Sequence, residues 1–297
     1  MHSSDEPTSE PAAAALRSRL MALAYRMLGT VADAEDAVQD AYLRFQQADN
    51  IAAPDAWLVK TTTRLCIDRL RQTKRRAQYI GPWLPEPIAA SWGGVARDQL
   101  ELGESLSVAF LLLLETLSPA ERAAYLLREV FAYDFEEIAT LLEKSAVNVR
   151  QITARAKKRL NQPERRFETD TQQAYELAQR FFAACQAGDI HAIEALLAQD
   201  VVFYSDGGGK TRAAPQPIRG AYRIAHLFAV VFRRRAQTGE LQFTTVNGQP
   251  GVVFSAAGRA LQVLTLSTKD GRIQAFYGVL NPDKLQRWPA LITKPPE

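Results

Sequence analysis

The stretch that decides how this chain is organised is Asp33-Ala34-Glu35-Asp36-Ala37-Val38-Gln39-Asp40. Asp33, Asp36 and Asp40 are spaced by three and four, so on a helix they fall within about 60° of one another. Val38, Ala41 and Phe45 point away from them, and the segment reads as a helix with one acidic and one apolar face. On its N-terminal side Leu20, Leu23, Ala24 and Met27 carry the same recurrence. Gly29-Thr30 divides that run into two helices, because glycine is a poor interior residue. On its C-terminal side Pro54-Asp55-Ala56-Trp57 opens a third helix holding Leu58, Leu65, Ile67 and Leu70. The exposed side of that helix and the residues after it carry Lys60, Arg64, Arg69, Arg71, Lys74, Arg75 and Arg76, opposed only by Asp68. An acidic helix beside a basic one is the first signal of two different partners.

Composition sets the limits. The 297 residues hold 36 Lys+Arg against 33 Asp+Glu, a net +3 that hides this local segregation. A hydrophobic fraction of 47% with 23% charged residues excludes a wholly disordered or fibrous chain. Cys66 and Cys185 stand in no paired or metal-like spacing, which excludes a disulfide framework and a thiolate zinc site, and no cofactor or metal is expected. The apolar block Val108–Leu114 is far short of the ~20 residues needed to span a bilayer. Met1–Ala15 lacks the basic start and apolar run of a secretory signal, so a soluble, cytoplasmic chain without membrane association is expected.

Beyond Arg76 helical periodicity collapses at Gly81-Pro82-Trp83-Leu84-Pro85-Glu86-Pro87, and Ser91-Trp92-Gly93-Gly94 continues a linker over 81–104. Helix resumes near Asp98 and runs through Leu106 and Phe110–Leu114. Ser118-Pro119-Ala120-Glu121 is a capping box with proline at the first helical position, opening a helix through Val130. Asp134–Glu143 and Ser145–Leu160 follow as amphipathic helices joined by a short turn, the arrangement of a helix-turn-helix or of an ordinary helical hairpin. Val147, Val149, Ile152 and Ala156 suit the buried side of the last helix. Asn148, Arg150, Gln151, Arg155 and Lys158 remain outside, a set that can read adenine and guanine edges and hold phosphates.

Asn161–Asp170 is a polar boundary, and the texture then changes. Helices are expected over Thr171–Ala187, Asp189–Ala198 and Ala221–Arg235, and strands at Val201–Ser205, Leu241–Val246, Gly251–Ser255, Ala260–Ser267 and Gln274–Val279. Asn247-Gly248, Ala257-Gly258 and Asp270-Gly271 mark hairpin turns. Helices followed by an antiparallel meander indicate an α+β domain over 170–297.

The first 160 residues resemble a bacterial sigma factor of the extracytoplasmic-function type. Ala24-Tyr25-Arg26-Met27-Leu28-Gly29 with the acidic stretch resembles the start of region 2; Trp57-Leu58 and Arg64–Arg71 resemble its promoter-melting and −10 element; Leu117–Arg122, Phe135–Ala139 and the helix after Ser145 resemble region 4. Trp83-Leu84-Pro85-Glu86-Pro87, Asp206-Gly207-Gly208-Gly209-Lys210 and Asn281-Pro282-Asp283-Lys284-Leu285 are similar to the signatures of the SigJ-like group, whose members carry a C-terminal SnoaL-like domain of the NTF2-like cone fold. Glu143-Lys144 departs from the glycine usual in the helix-turn-helix turn, and Asn148 from the usual threonine.

The resemblance implies a multidomain fold: region 2 over 1–80, the linker over 81–104, region 4 over 105–162 and the cone domain over 170–297. It implies that Asp33, Asp36, Gln39 and Asp40 dock on the β′ coiled coil of core RNA polymerase, with the β flap as a second contact. It assigns the −10 element to Asn50, Lys60, Arg64, Arg69, Arg71, Lys74, Arg75 and Arg76, and the −35 element to Asn148, Arg150, Gln151, Arg155 and Lys158. A flexible linker would then join the two readers, and no dedicated anti-sigma factor is expected. Asp206–Lys210 and Asn281–Leu285 are expected to dock against the Trp83–Pro87 linker and the sigma modules, regulating promoter binding. The competing reading is a SnoaL-type enzyme or ligand sensor fused to a DNA-binding module, with Asp206 or His226 as the base; a loop led by three glycines suits close backbone approach better than proton transfer. No catalytic residue is assigned.

Overall fold

A computed structural model describes residues 10–72, 79–89, 106–160 and 171–289. Lys74, Arg75, Arg76 and the linker residues from 90 to 105 lie outside the described residues. The described chain divides into two compact units, each considered by itself.

The first unit holds α1 (Glu10–Leu28), α2 (Val31–Gln46) and α3 (Pro54–Gln72), packed pairwise around Leu20, Ala24, Met27, Ala34, Val38, Ala41, Leu58 and Cys66. Gly29 breaks the first two with φ +77°, and the Thr30 hydroxyl caps α2 by accepting from the Asp33 amide. After α4 (Val108–Leu114), which belongs to the second unit, the first unit resumes with α5 (Pro119–Tyr125), a π-helical turn over Leu126–Val130, α6 (Phe135–Leu142) and α7 (Ala146–Leu160). The Ser118/Glu121 capping box forms as read from sequence, and Asp134 with Glu137 forms a second one at α6. On α7, Val149, Ile152 and Ala156 are buried, but Val147 is 61% exposed. The expectation for Val147 fails because two residues before Val149 turn the side chain about 200° away, onto the outer face. α3 packs on both α5 and α6. The buried Arg122 guanidinium donates to the Met27 carbonyl at 2.6 Å, tying α5 to the end of α1. Burial lowers its pKa to about 10.

In the second unit α8 (Thr171–Ala187), α9 (Ile190–Leu196) and α10 (Ala221–Thr238) cover one face of a six-stranded sheet. Its strands are β1 (Leu197–Asp206), β2 (Ile218–Arg219), β3 (Glu240–Val246), β4 (Gln249–Ala256), β5 (Arg259–Lys269) and β6 (Arg272–Val279), in the order β2-β1-β6-β5-β4-β3. The meander β3–β6 is antiparallel, as its turns predict, with paired positive φ at Asn247-Gly248, Ala257-Gly258 and Asp270-Gly271. β1 pairs with β6 in parallel, and β2 is an added edge with no strand signal of its own. This is the α+β arrangement expected over 170–297, and the space between helices and sheet is packed with aromatic rings. Phe181, Phe182, Phe203, Phe228, Phe232 and Phe276 are all buried, and Phe181 and Phe228 each lie 4.7 Å, ring to ring, from Phe276.

The opposite sheet face is covered by this unit's own N-terminal pieces. Leu84, Ala89, Val108 and Ala109 pack against Val246, Val253, Val263, Ala275, Tyr277 and Val279, with Leu285 and Trp288 from the segment around α11 (Pro282–Leu285). The linker expected to be flexible is therefore an extended, docked segment over 79–89, in which residues 84–89 are buried. Proline and glycine report the absence of helix there. They do not report the absence of order: a segment without regular structure can still lay apolar side chains on a sheet face.

Candidate nucleic-acid interface and linker-binding site

On α2, Asp33, Asp36 and Gln39 are exposed, and Asp40 is half-buried. Not all of this stripe faces solvent unengaged: Arg69 of α3 reaches Asp40 at 2.8 Å and donates to the Asp33 carbonyl at 2.7 Å. Arg69, grouped by sequence with the DNA-contacting residues, joins α3 to α2 in this conformation. Asn50 sits at φ +57° in the exposed loop between these helices, a conformation asparagine tolerates. Trp57 is half-buried with its ring 5.7 Å from Phe45, an anchor for the start of α3. Arg71 pairs with Asp68 at 3.4 Å.

Lys60 and Arg64 point toward the helix-turn-helix. Glu143, in the turn between α6 and α7, lies 3.0 Å from Lys60 and 3.8 Å from Arg64. Hydrogen bonding to Lys60, then the charges of Lys60 and Arg64, hold the Glu143 carboxyl below its ordinary range. Glu143 adopts φ +53°, the left-handed conformation that glycine usually provides at this kind of turn.

The outer face of α7 presents Asn148, Arg150, Gln151, Arg155 and Lys158, all exposed. Arg150 is paired with Glu136 at 2.7 Å and stacks 5.3 Å from the Phe135 ring centre. Glu121 gathers Arg159 at 2.8 Å and Arg155 at 4.0 Å. Burial works to raise the Glu121 pKa, but donation from the Ser118 amide and hydroxyl and the two arginines prevail and lower it.

The second unit carries a different kind of site. Asp206, at the end of β1, is fully buried. It shares a sheet face with Tyr204, on the side away from the phenylalanines. One carboxylate oxygen accepts from the Leu84 amide at 2.9 Å and pairs with Lys284 at 2.7 Å. The other accepts from the Tyr79 hydroxyl at 2.6 Å and the Gly208 amide at 3.0 Å. Lys284, only 7% exposed, also donates to the Leu84 carbonyl and lies 4.4 Å from the centre of the Trp83 ring. Asn281 donates to the Tyr79 hydroxyl at 2.8 Å, and Lys210 pairs with Asp283 at 2.6 Å. Burial, then the hydrogen bond to Asp206, pushes the Tyr79 hydroxyl well above its ordinary pKa. Gly208 has φ +60°, and a side chain there would collide with the Asn281 amide. The glycines thus let one loop close over the other, and Asp206 anchors both to the linker. Leu84–Pro87, with Glu86 only 4% exposed, run buried from the clamp. Pro282 and Asp283 follow Asn281 as it caps α11 and holds Lys284 and Leu285 inward.

A second linker contact lies at the β3–β4 turn. Asn247, 1% exposed, exchanges bonds with Ile88: its amide donates to the Ile88 carbonyl and its side-chain oxygen accepts from the Ile88 amide, both at 2.9 Å. Sequence reading treated Asn247 only as a turn residue. Its burial could not be foreseen, because the same dipeptide serves exposed hairpins. Tyr79 was missed because it stands alone among basic residues.

Comparison with known proteins agrees with this architecture. Family models described as Sigma-70 region 2 and Sigma-70, region 4 match residues 13–76 and 107–160. The Mycobacterium tuberculosis protein named "ECF RNA polymerase sigma factor SigJ" is 36% identical over 285 residues, covering 91% of each chain. A "Probable ECF RNA polymerase sigma factor SigI" of the same species is 30% identical over 294 residues, covering 93% of this chain and 95% of its own. The crystal structure of M. tuberculosis SigJ superposes with a TM-score of 0.77 at 33% identity, covering 95% of this chain and 99% of that one. This chain belongs to the extracytoplasmic-function (ECF) sigma factors, those that carry a C-terminal cone domain. It directs promoter-specific initiation with core RNA polymerase on promoter DNA, and by family it is a transcription factor. Among the described residues no helix is long and apolar enough to cross a membrane, and no cluster of three metal-ligating side chains occurs.

Proposed function

We propose that the C-terminal domain regulates initiation within the same chain by gripping the interdomain linker, so that no dedicated anti-sigma factor is needed. The carrying observation is Asp206: a fully buried carboxylate whose partners include Tyr79 and Leu84 of the linker and Lys284 of α11. A buried charge costs several kcal/mol unless it is paired and hydrogen-bonded, so this clamp forms fully or not at all. The cone is read as non-catalytic: six phenylalanines occupy its interior, and Asp206 is engaged with the linker on the opposite face.

In the DNA-reading modules, Asp33, Asp36, Gln39 and Asp40 form the docking face for the β′ coiled coil, and region 4 meets the β flap. Lys60, Arg64 and Arg71, with Lys74, Arg75 and Arg76, contact −10 phosphates, and Asn50 receives an extruded base. Arg69, assigned to the same −10 contacts, also braces the face these residues stand on. Asn148, Arg150, Gln151 and Arg155 read the −35 element, with Lys158 on the backbone. Glu143 occupies Lys60 and Arg64 in the present conformation, so phosphate must displace a carboxylate before either can be used.

Run-off transcription with core polymerase tests the reading, comparing the full chain with truncations before Thr171 and before Asn281. Altered promoter use is expected in both, since the second removes Lys284 and its grip on Leu84. Unchanged initiation in both overturns the regulatory role.

A further inference from the structure

Val147, which sequence reading places on the buried side of its helix, stands 61% exposed on α7. Its position on the helix matters more than its exposure. At about 100° per residue, Val147, Gln151, Ala154 and Lys158 fall within about 60° of one another. Val149, Ile152, Thr153 and Ala156, all buried, centre on the opposite side. The first four residues, all exposed, therefore form the row that points directly away from the core beneath α7. The basic residues beside that row are drawn back by carboxylates: Arg150 by Glu136, Lys157 by Glu129, and Arg155 and Arg159 by Glu121. The row itself holds a valine, a neutral amide and an alanine before its one charge at Lys158.

A recognition helix in the major groove meets base edges with its N-terminal residues. α7 begins at Ala146, so Val147 lies in its first turn, one turn before Gln151. Chemistry then selects the base. Only the C5 methyl of thymine is apolar among the groups displayed in the major groove, where every other group is a donor or an acceptor. A valine laid on the amino group of cytosine would strip its water and return no hydrogen bond. We propose that Val147 is a specificity-determining residue of the −35 reader, selecting a thymine by covering its C5 methyl. This rests on the proposed entry of α7 into the major groove and deepens it. A single exposed apolar side chain needs no explanation on most surfaces. Here it takes the first outward position of the helix that meets DNA.

Uracil scanning tests the proposal. Active promoters are selected from a random-sequence library with the full-length wild type and core polymerase. Each thymine of the −35 element, on either strand, is then replaced in turn by deoxyuridine, which keeps every hydrogen-bonding group and removes only the methyl. One position is expected to lose about fourfold in affinity for the wild-type holoenzyme, the worth of one methyl buried from water. With Val147→Ala the loss at that position should fall below about twofold. Alanine is the better helix former and the site is exposed, so this variant keeps its fold. A −35 element without a methyl-sensitive thymine, or an undiminished uracil penalty in Val147→Ala, overturns the proposal. A holoenzyme indifferent to every base change in that element would count against the −35 reading itself, a separate failure.

Discussion

Two of the places where this chain meets itself over long sequence distances use the same chemistry in opposite settings. At Asp206 the carboxylate is fully buried and its lysine partner nearly so, with a tyrosine and two backbone amides completing the shell. At Glu143 the carboxylate is 59% exposed and faces two basic side chains at 36% and 67% exposure. The first contact is protected from salt and from competition by water. The second can be opened by any better anion, and a DNA phosphate is one. A buried grip and a releasable one are what the proposed internal regulation requires.

The sharpest way to break the comparison is to remove half of the buried pair. Asp206→Ala strands Lys284 and should cost about 3–5 kcal/mol of stability in urea unfolding of the full chain. Adding Lys284→Met should recover part of that loss; strictly additive losses would show that the two groups do not act as a pair. Tyr79→Phe removes one donor to the same carboxylate and should cost about 1.5 kcal/mol.

Changes at Glu143 should scarcely affect stability and should appear in DNA binding instead. Glu143→Gln is expected to raise affinity for −10 duplex at low salt, with the advantage vanishing near 1 M salt as screening removes the competition. An equal gain at both salt concentrations would mean that Glu143 acts by shape and not by charge. The smallest effect expected is with pH. The Glu143 pKa is lowered in the folded chain, so its contribution is present above the ordinary carboxylate value and is lost as pH falls through the lowered one. The wild type should thus approach the DNA affinity of Glu143→Gln on acidification, a convergence that titration followed by anisotropy would detect.

What could be read in the sequence follows the range of the forces involved. Capping boxes, Asn-Gly and Asp-Gly turns and the amphipathic stripes are local, and they appear where the residues predict. Val147 is apolar yet lies outside, because a helical position two residues from a buried one turns away from the core whatever its side chain. The acidic stripe was visible, but not that Arg69 spends its charge on Asp40, because an ion pair between helices has no signature in spacing. The linker departs most from its sequence: Gly81, Pro82, Pro85 and Pro87 exclude helix, and excluding helix does not imply flexibility. What orders the segment is a surface supplied from more than a hundred residues later, at Asp206 and Asn247.

The six packed phenylalanines have a consequence for anyone hoping to engineer or inhibit this factor. Carving a chamber by truncating Phe181 or Phe228 would forfeit about 3–5 kcal/mol before any guest arrived to fill it. A compound that acts on this domain would do better to pry at its rim, where lysine, tyrosine and aspartate seal a borrowed ribbon of chain.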